Sequence, residues 1–175
     1  NEEGSSELQS IVGKQDVFNY PKPLSLILYL ISLYFRDGKH PDDITVLDFF
    51  AGSGTTGHAV LELNKYDGGN RRFILCTNNE NSIAENITYK RIKNVSDSYN
   101  ANVRYFKTDF VSKQKTDDQT RLAIVDRCTD MIRIRENTFE TVFDEHEFKL
   151  FKDDAHYAAL IFNPLHIKSY INQIE

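Results

Sequence analysis

A short apolar segment that ends in two glycines constrains the fold of this chain more than any other feature. Residues 46–50 are mostly apolar, and Ala51-Gly52-Ser53-Gly54 follows them directly. The apolar run predicts a buried strand of the parallel type, and a helix is expected to begin near Thr55. Glycines at the bend remove Cβ atoms, so a ligand can approach the backbone closely. Because the helix N-terminus offers unpaired N–H groups, the turn predicts a ligand-binding site.

The segments after this turn continue to alternate between helices and strands. The first helix is predicted to reach about Lys65, and a second strand to occupy residues 72–76. A second helix is predicted at residues 82–95 and a third strand at residues 103–106. This order predicts an α/β fold of Rossmann type, an open parallel sheet with helices on both faces.

The last third of the chain predicts a different arrangement. Residues 118–135 carry apolar side chains at helical spacing. Charged turns then separate three strand-like runs, which predict an antiparallel meander over residues 139–143, 147–151 and 157–162. A last helix is predicted from Pro164 to about residue 174, with Asn163 as its N-cap.

Three regions are therefore expected along the chain. Residues 1–20 are largely polar and predict a linker or partly ordered arm. Residues 21–135 are expected to form the ligand-binding domain, and residues 136–175 the meander with its helix. The sequence begins without an initiator methionine, so we expect it to be a piece of a longer protein.

The formal net charge of −5 bears on the possible partners. A protein that grips nucleic acid by itself is usually basic, so this charge argues against DNA binding by this chain alone. Lys90, Arg91 and Lys93 form one candidate basic patch. The solvated face of a helix explains these three residues better.

Cysteine usage and hydropathy predict a cytoplasmic protein without a membrane segment. Cys76 and Cys128 are predicted to be buried, and their spacing suits neither a disulfide framework nor a zinc site. A reducing compartment fits this pattern best. No apolar run reaches the length of about 18 residues that a membrane span needs, and the histidines lack metal-ligand spacing.

Asp48 narrows the choice of ligand, because it lies inside the predicted strand just before the turn. A carboxylate there would repel a pyrophosphate and would suit a cationic amine or a sulfonium. S-adenosylmethionine carries both of these groups, and its carboxylate suits the helix N-terminus. Gly52, Gly54 and Gly57 also match the dinucleotide pattern G-x-G-x-x-G. A dinucleotide site and a purely structural turn therefore remain alternatives.

Two motifs of the sequence, and the order in which they follow each other, resemble those of a known family. Residues 48–56 resemble the D-x-F-x-G-S-G-T-T motif of amino-methylating DNA methyltransferases, and Tyr20-Pro21-Lys22-Pro23 resembles their K-P motif. This order is that of the β arrangement, in which the catalytic D-P-P-Y lies nearer the N-terminus. Together with residues 1–4, 7–8, 18–23, 71–74 and 77–81, the motifs look like the modification subunit of type III restriction–modification systems. The resemblance covers roughly residues 1–135.

This resemblance implies a Rossmann-like methyltransferase fold, S-adenosylmethionine as the cofactor, and a role for each matching residue. Lys22 and Pro23 are expected to line the methionine end of the pocket, and Thr55 to cap the helix after the turn. The turn beneath the cofactor is assigned to Asp48, Phe49, Ala51, Gly52, Ser53 and Gly54.

The ribose and the adenine of the cofactor are assigned to later residues. Glu80, or Asn79 in its place, is expected to bind the ribose hydroxyls, since a carboxylate accepts both of their protons. The alternative is that Glu80 merely opens the next helix. Asp109 and Phe110 are expected to contact the adenine; the alternative is a surface aspartate beside a core phenylalanine.

The residues that would transfer the methyl group are absent from the sequence. A flipped base needs acceptors for its amine and a stacking aromatic, which the family supplies with D-P-P-Y, and this chain contains no Pro-Pro pair. The nearest match, Asn163-Pro164, is better explained as the start of a helix. We therefore predict no catalytic residue, no metal ligand and no activity of the isolated chain.

The resemblance also implies partners. DNA would bind through the missing N-terminal part, and a second copy and a restriction subunit are further expected partners. Two alternatives remain open at this point: a non-catalytic methyltransferase remnant that serves specificity or assembly, and a small-molecule methyltransferase that uses Asn163-Pro164.

Overall fold

A computed structural model describes residues 2–13, 18–35, 42–145 and 147–174 of the chain. It divides into two compact units, Asn1–Phe106 and Lys107–Glu175. This division falls before residue 135, where the sequence analysis places a boundary. The two units are described separately below.

The first unit is built around a β-α-β element that contains the glycine turn. Strand β1 (Thr45–Phe49) pairs in parallel with strand β2 (Arg72–Cys76), with Thr45 opposite Arg72 and Phe49 opposite Cys76. Helix α3 (Thr55–Asp67) connects them. The predicted strand–helix–strand order is confirmed here, and the parallel pairing brings the carboxyl ends of both strands to the same edge.

Among its described residues, the first unit has three further α-helices: α1 (Glu2–Val12), α2 (Leu24–Ser32) and α4 (Tyr89–Tyr99). Helices α2 and α4 pack against α3, and α1 packs against α4. The segment expected to be a linker or partly ordered arm thus carries a helix. Gly4 and Leu8 lie one turn apart on α1 and are both buried, which explains why a mostly polar segment docks.

Helix α3 covers one face of the parallel pair very closely. A Cβ added to Gly57 would lie 2.9 Å from Leu75 Cδ1 and 2.7 Å from Ile92 Cδ1. Because side chains alternate along a strand, the opposite face carries Leu47, Phe49 and Ile74, each more than half exposed. In the part of the chain that the structure describes, helices therefore cover one face of this sheet, and not both as predicted.

The segment after β2 differs from the continuous helix and third strand that the pattern predicts. A 3₁₀ turn (Glu80–Ser82) and a π-helical turn (Ala84–Thr88) precede α4. The prediction of a strand at residues 103–106 is wrong, since this stretch has no regular structure. Its Tyr105 ring instead packs against Tyr89 of α4, with ring centroids 4.9 Å apart.

The second unit contains the predicted meander. Its strands pair antiparallel in the order β3 (Glu140–Asp144), β4 (Phe148–Lys152) and β5 (Tyr157–Ile161). The predicted helix at 118–135 is divided at Cys128 into α5 (Asp117–Arg127) and α6 (Thr129–Glu136). Helix α7 (Ile167–Ile174) follows a 3₁₀ turn, and its Tyr170 ring stacks on Phe148 in the core.

Both cysteines carry free thiols. Cys76 ends β2 and Cys128 lies between α5 and α6, and both are half-buried where full burial was predicted. Each lies at the end of a secondary-structure element. No helix in the described ranges is long and apolar enough to cross a membrane.

Candidate functional site

The glycine turn between β1 and α3 is compact and joined to β2. Gly52 and Gly54 have φ angles of 51° and 77°, in the left-handed region where only glycine is unstrained. The Gly54 amide donates to the Ala51 carbonyl over 2.8 Å, and the Ala51 amide donates to the Cys76 carbonyl over 3.0 Å. These bonds fix the turn against the carboxyl ends of both strands.

The carboxylate of Asp48 lies beside the N-terminus of α3. Its Oδ2 atom accepts a hydrogen bond of 2.5 Å from the hydroxyl of Thr56, and the side chain is half-buried. Thr56 was not among the predicted site residues, although it belongs to the same G-S-G-T-T run. A negative charge is thus held at the positive end of the helix dipole, where it can attract a cationic group.

The Tyr20-Pro21-Lys22-Pro23 segment meets the same helix end. The main-chain carbonyl of Lys22 accepts a 3.1 Å hydrogen bond from the hydroxyl of Thr55, and Pro21 is fully buried. Asp48 and Lys22 are therefore held by adjacent threonines of the first turn of α3. The predicted meeting of the two motifs at one site is found in the geometry.

The expectation that Thr55 caps α3 is wrong. The N-cap residue is Gly54, in a left-handed conformation and without a side-chain cap bond, and Thr55 is the first helical residue. The Thr55 hydroxyl is instead used between elements, since it donates to Lys22 and lies 3.1 Å from the Ser53 hydroxyl. Thr55 thus joins two segments of the candidate site.

Arg91 lies beneath the turn and not on a solvated helix face, as its place in a basic run predicted. Its side chain is fully buried, and Nη1 donates to the hydroxyls of Thr55 over 2.8 Å and Ser53 over 3.4 Å. Burial lowers the pKa of Arg91 to about 10, against the opposing effect of Glu7. The guanidinium is therefore still a cation at neutral pH.

His58 of α3 completes this buried group. Its Nδ1 atom lies 3.2 Å from Arg91 Nη2. Burial lowers the pKa of His58 to about 4, the charge of Arg91 adds to this effect, and Glu62 opposes it. His58 is thus neutral at physiological pH. Because arginine can only donate, the Nδ1 atom of His58 accepts from Arg91, and the imidazole proton resides on Nε2.

Thr88 also holds the glycine turn, through the carbonyl of Gly52. Its hydroxyl lies 2.6 Å from the Gly52 carbonyl and 3.2 Å from the Ile83 carbonyl, and it donates to the nearer one. Thr88 ends the π-helical turn, and Arg91 follows three residues later, so both lie on one face of the helix. Neither residue was predicted, because a contact between distant segments leaves no local sequence signal.

Asn79 and Glu80 follow β2 and so reach the edge of the sheet that carries the turn. The Asn79 side-chain oxygen accepts a 3.4 Å hydrogen bond from the Glu85 amide. Glu80 is exposed and begins the 3₁₀ turn. This position fits the alternative that Glu80 opens the next helical segment, and it leaves the carboxylate accessible to a ligand.

The remaining predicted residues are exposed. Phe49 ends β1, is two-thirds exposed and packs edge-on against Phe50. Asp109 and Phe110 belong to the second unit, where Asp109 pairs with Arg127 over 2.8 Å and Phe110 is 91% exposed. The strand they were expected to follow is not formed, so their contact with an adenine stays a prediction.

The helix-start interpretation of Asn163-Pro164 is confirmed. The Asn163 side-chain oxygen accepts a 3.1 Å hydrogen bond from the Leu165 amide, and Pro164 opens the 3₁₀ turn. The Asn163 amide group also faces the carboxylate of Glu147, at 3.3 Å. Over residues 2–13, 18–35, 42–145 and 147–174, no group of histidine, cysteine and acidic residues is arranged to hold a metal ion.

The family of this chain follows from comparison with known sequences. The profile of the family described as DNA methylase (N6_N4_Mtase) matches residues 2–91, just over half of the chain. The matched range contains the K-P segment, the glycine turn and the buried arginine. The chain belongs to this DNA methylase family.

Three curated proteins show which members it is similar to. The Mod subunit of the type III restriction-modification enzyme StyLTI from Salmonella typhimurium is 46% identical over 101 residues, which are 55% of this chain and 14% of that protein. The EcoPI Mod subunit of Escherichia phage P1 is 43% identical over 76 residues, which are 43% of this chain and 11% of that subunit. The type II methyltransferase M.KpnI of Klebsiella pneumoniae is 36% identical over 110 residues, 62% of this chain and 25% of that enzyme.

These relatives confirm the resemblance to type III modification subunits that the two motifs predict. Methyltransferases, DNA methylation and restriction–modification thus describe the group to which the chain is related. The chain spans a quarter or less of the length of each of these relatives.

Proposed function

We propose that this chain is the S-adenosylmethionine-binding portion of a site-specific DNA adenine-N6 methyltransferase of type III style. The observation that carries the proposal is that the Asp48 carboxylate and the Lys22 main-chain carbonyl both accept hydrogen bonds from the first turn of α3, beside the glycine turn. The type III relatives support the same assignment. We further propose that β1, α3 and β2 belong to a Rossmann-like sheet.

The residues at the turn fit this cofactor chemically. S-adenosylmethionine supplies an activated methyl group and presents a sulfonium, an ammonium and a carboxylate. The carboxylate of Asp48 suits the cationic groups, and the N–H groups at the start of α3 suit an anion. A pyrophosphate would be repelled by Asp48, so the geometry favours the sulfonium cofactor over a dinucleotide.

Each part of the site has a proposed role. Lys22 and Pro23 bound the methionine end, and the turn from Ala51 to Gly54 lets the ligand approach the backbone. Asn79 and Glu80 accept the ribose hydroxyls from the end of β2, and Asp109 and Phe110 contact the adenine. The glycine turn is bonded to the end of β2 through Ala51 and to the Lys22 carbonyl through Thr55, which supports the proposal that one ligand contacts the first three groups.

The wider assembly is part of the same proposal. We propose that D-P-P-Y and the target-recognition residues belong to another part of the methylase, that DNA binds there, and that a restriction subunit and a second copy are partners. We propose residues 21–135 as the cofactor domain, residues 136–175 as a separate region, and the cytoplasm as the location. This chain alone is expected to transfer no methyl group to DNA.

Calorimetry of the folded 175-residue chain with S-adenosylmethionine tests the proposal. We expect binding by the wild type and at least roughly tenfold weaker binding by Asp48→Asn, since about 1.4 kcal/mol of charge attraction corresponds to a factor of ten. Asparagine retains an oxygen that accepts from Thr56, so the local structure is preserved. Glu140→Gln, a change to an exposed carboxylate of the second unit, is the matched control and should bind normally.

Three results would contradict the proposal. The absence of binding heat with a folded wild-type chain would favour a non-catalytic remnant. Equal affinities of the wild type and Asp48→Asn would show that the ligand does not use this carboxylate. Methyl transfer to DNA by the chain alone would refute the proposed division of roles.

A further inference from the structure

We infer that Glu7 and Arg91 form a positioning pair that joins the Lys22-Pro23 segment to the glycine turn. This inference rests on the proposed function and assigns two residues to it for which the sequence predicts no role in the cofactor site. Glu7 lies on α1 and Arg91 on α4, and their closest charged atoms, Glu7 Oε2 and Arg91 Nη2, are 3.7 Å apart. Each residue holds a different half of the proposed cofactor site.

Glu7 holds the half that contains Lys22 and Pro23. Its Oε2 atom accepts a 2.9 Å hydrogen bond from the amide of Leu24, the first residue of α2. Pro23, at the N-cap position, provides no side-chain cap, so Glu7 satisfies a helix-start N–H group from a distant segment. The position of Pro23 therefore depends on the carboxylate of α1.

Arg91 holds the half that contains the glycine turn. Its Nη1 atom reaches the hydroxyls of Ser53 and Thr55, the residues that flank Gly54. Its planar group offers donors in fixed directions, so the same guanidinium also meets Glu7 through Nη2. The rigid guanidinium of Arg91 thus links the glycine turn to Glu7, the residue that holds the half of the site with Lys22 and Pro23.

The packing of α1 supports this linkage. Helix α1 approaches the Pro21-Lys22 backbone so closely that a Cβ added to Gly4 would lie 2.3 Å from the Pro21 carbonyl oxygen. The Arg91 side chain is fully buried, while that of Glu7 is 26% exposed. A buried cation is tolerated only when its partners are in place, so the ion pair disfavours arrangements in which the two halves separate.

Four variants of the full chain test the inference: Glu7→Ala, Glu7→Gln, Arg91→Met and the double variant Glu7→Ala/Arg91→Met. Affinities for S-adenosylmethionine and S-adenosylhomocysteine are measured by calorimetry, under conditions where circular dichroism shows each variant folded. Glu3→Ala is the matched control, because Glu3 lies on the same helix and contacts only the exposed Ser25 hydroxyl among the described contacts.

We expect Glu7→Ala and Arg91→Met each to weaken binding roughly tenfold. The double variant should be little weaker than either, because the two residues act as one unit. Glu7→Gln should recover much of the affinity, since its amide oxygen still accepts from Leu24. Glu3→Ala should bind like the wild type.

A merely structural role gives a different result: the variants lose stability, but the molecules that remain folded bind as tightly as the wild type. That outcome overturns the inference. If the wild type itself does not bind, the proposed function fails, and amide hydrogen exchange then decides whether the pair positions the site. Faster exchange at residues 51–54 in folded Arg91→Met, with Glu3→Ala unchanged, supports the pair, and unchanged exchange refutes it.

Discussion

Protonation of His58 should destabilise the first unit as the pH falls, by an amount that follows from its burial. The pKa of His58 is lowered from 6.5 to about 4 in the folded chain. The unfolded chain therefore binds more protons below about pH 6.5, and stability is lost from there down to about pH 4. Linkage with these two values gives a loss of about 2 kcal/mol at about pH 5 and about 3 kcal/mol at about pH 4.

The assay compares the wild type with His58→Gln. The glutamine oxygen still accepts from Arg91, but the side chain does not titrate. Urea unfolding is measured between about pH 7.5 and 5 through NMR signals of α3 residues, because the chain has no tryptophan and these signals report on the first unit. Carboxylates titrate in both proteins, so the difference between the two pH profiles isolates His58.

The free energy of unfolding of the wild type should fall relative to that of His58→Gln by about 2 kcal/mol over this range. Parallel profiles would refute the reasoning, since they would mean that His58 is protonated equally well in both states. An NMR titration of the imidazole gives a second check, because its pKa should lie far below 6.5 and should rise in Arg91→Met, where one cause of the shift is removed.

Three further substitutions test the packing, and a fourth serves as a control. Gly4→Ala should destabilise the chain by more than about 1 kcal/mol, because the new Cβ would meet the Pro21 carbonyl. Alanine in place of glycine ordinarily stabilises a helix by about that much. An unchanged or higher melting temperature would therefore contradict the close packing of α1. Phe148→Ala should lower the free energy of unfolding of the second unit by about 3–5 kcal/mol, since the ring is fully buried. Denaturation followed through NMR signals of β4 measures this loss, and a loss below about 1 kcal/mol would contradict the burial of Phe148 in the core. Arg71→Met should lower the free energy of unfolding by about 1–3 kcal/mol, because it removes a buried bidentate pair with Asp67. Arg72→Met removes an exposed pair with Asp43 and should change stability by less than about 0.5 kcal/mol. Equal losses of stability in the two variants would refute the distinction between a buried and an exposed pair.

The strand–turn–helix–strand element could be predicted because its determinants are local. The short, mostly apolar runs at 46–50 and 72–76 favour strands by themselves, and Gly52 and Gly54 mark the turn directly. The observed bounds of β2 agree with the prediction at both ends. The meeting of Asp48 and Lys22 required the family resemblance, since no periodicity brings residue 22 to residue 48.

Other features could not be predicted because they depend on contacts between distant segments. Arg91 has the sequence context of an exposed charge, and its burial arises from partners on α1 and α3. The interpretation of residues 1–20 as an arm rested on polarity, and the close fit of Gly4 against Pro21 leaves no trace in local composition. The strand expected at 103–106 had suitable residues, but a strand also needs a pairing partner, which alternation alone does not supply.

The pH-sensitive group and the proposed cofactor site share the same atoms. Protonated His58 would place a second cation 3.2 Å from Arg91, and that guanidinium also holds the hydroxyls of Thr55 and Ser53. Repulsion would therefore act on the bonds that fix the turn before the whole unit unfolds. Affinity for S-adenosylmethionine should thus fall with the pH over the same range as stability in the wild type, and less steeply in His58→Gln. If both proteins lost affinity equally, His58 would not be the group that makes binding sensitive to acid, and its protonation would act on stability alone.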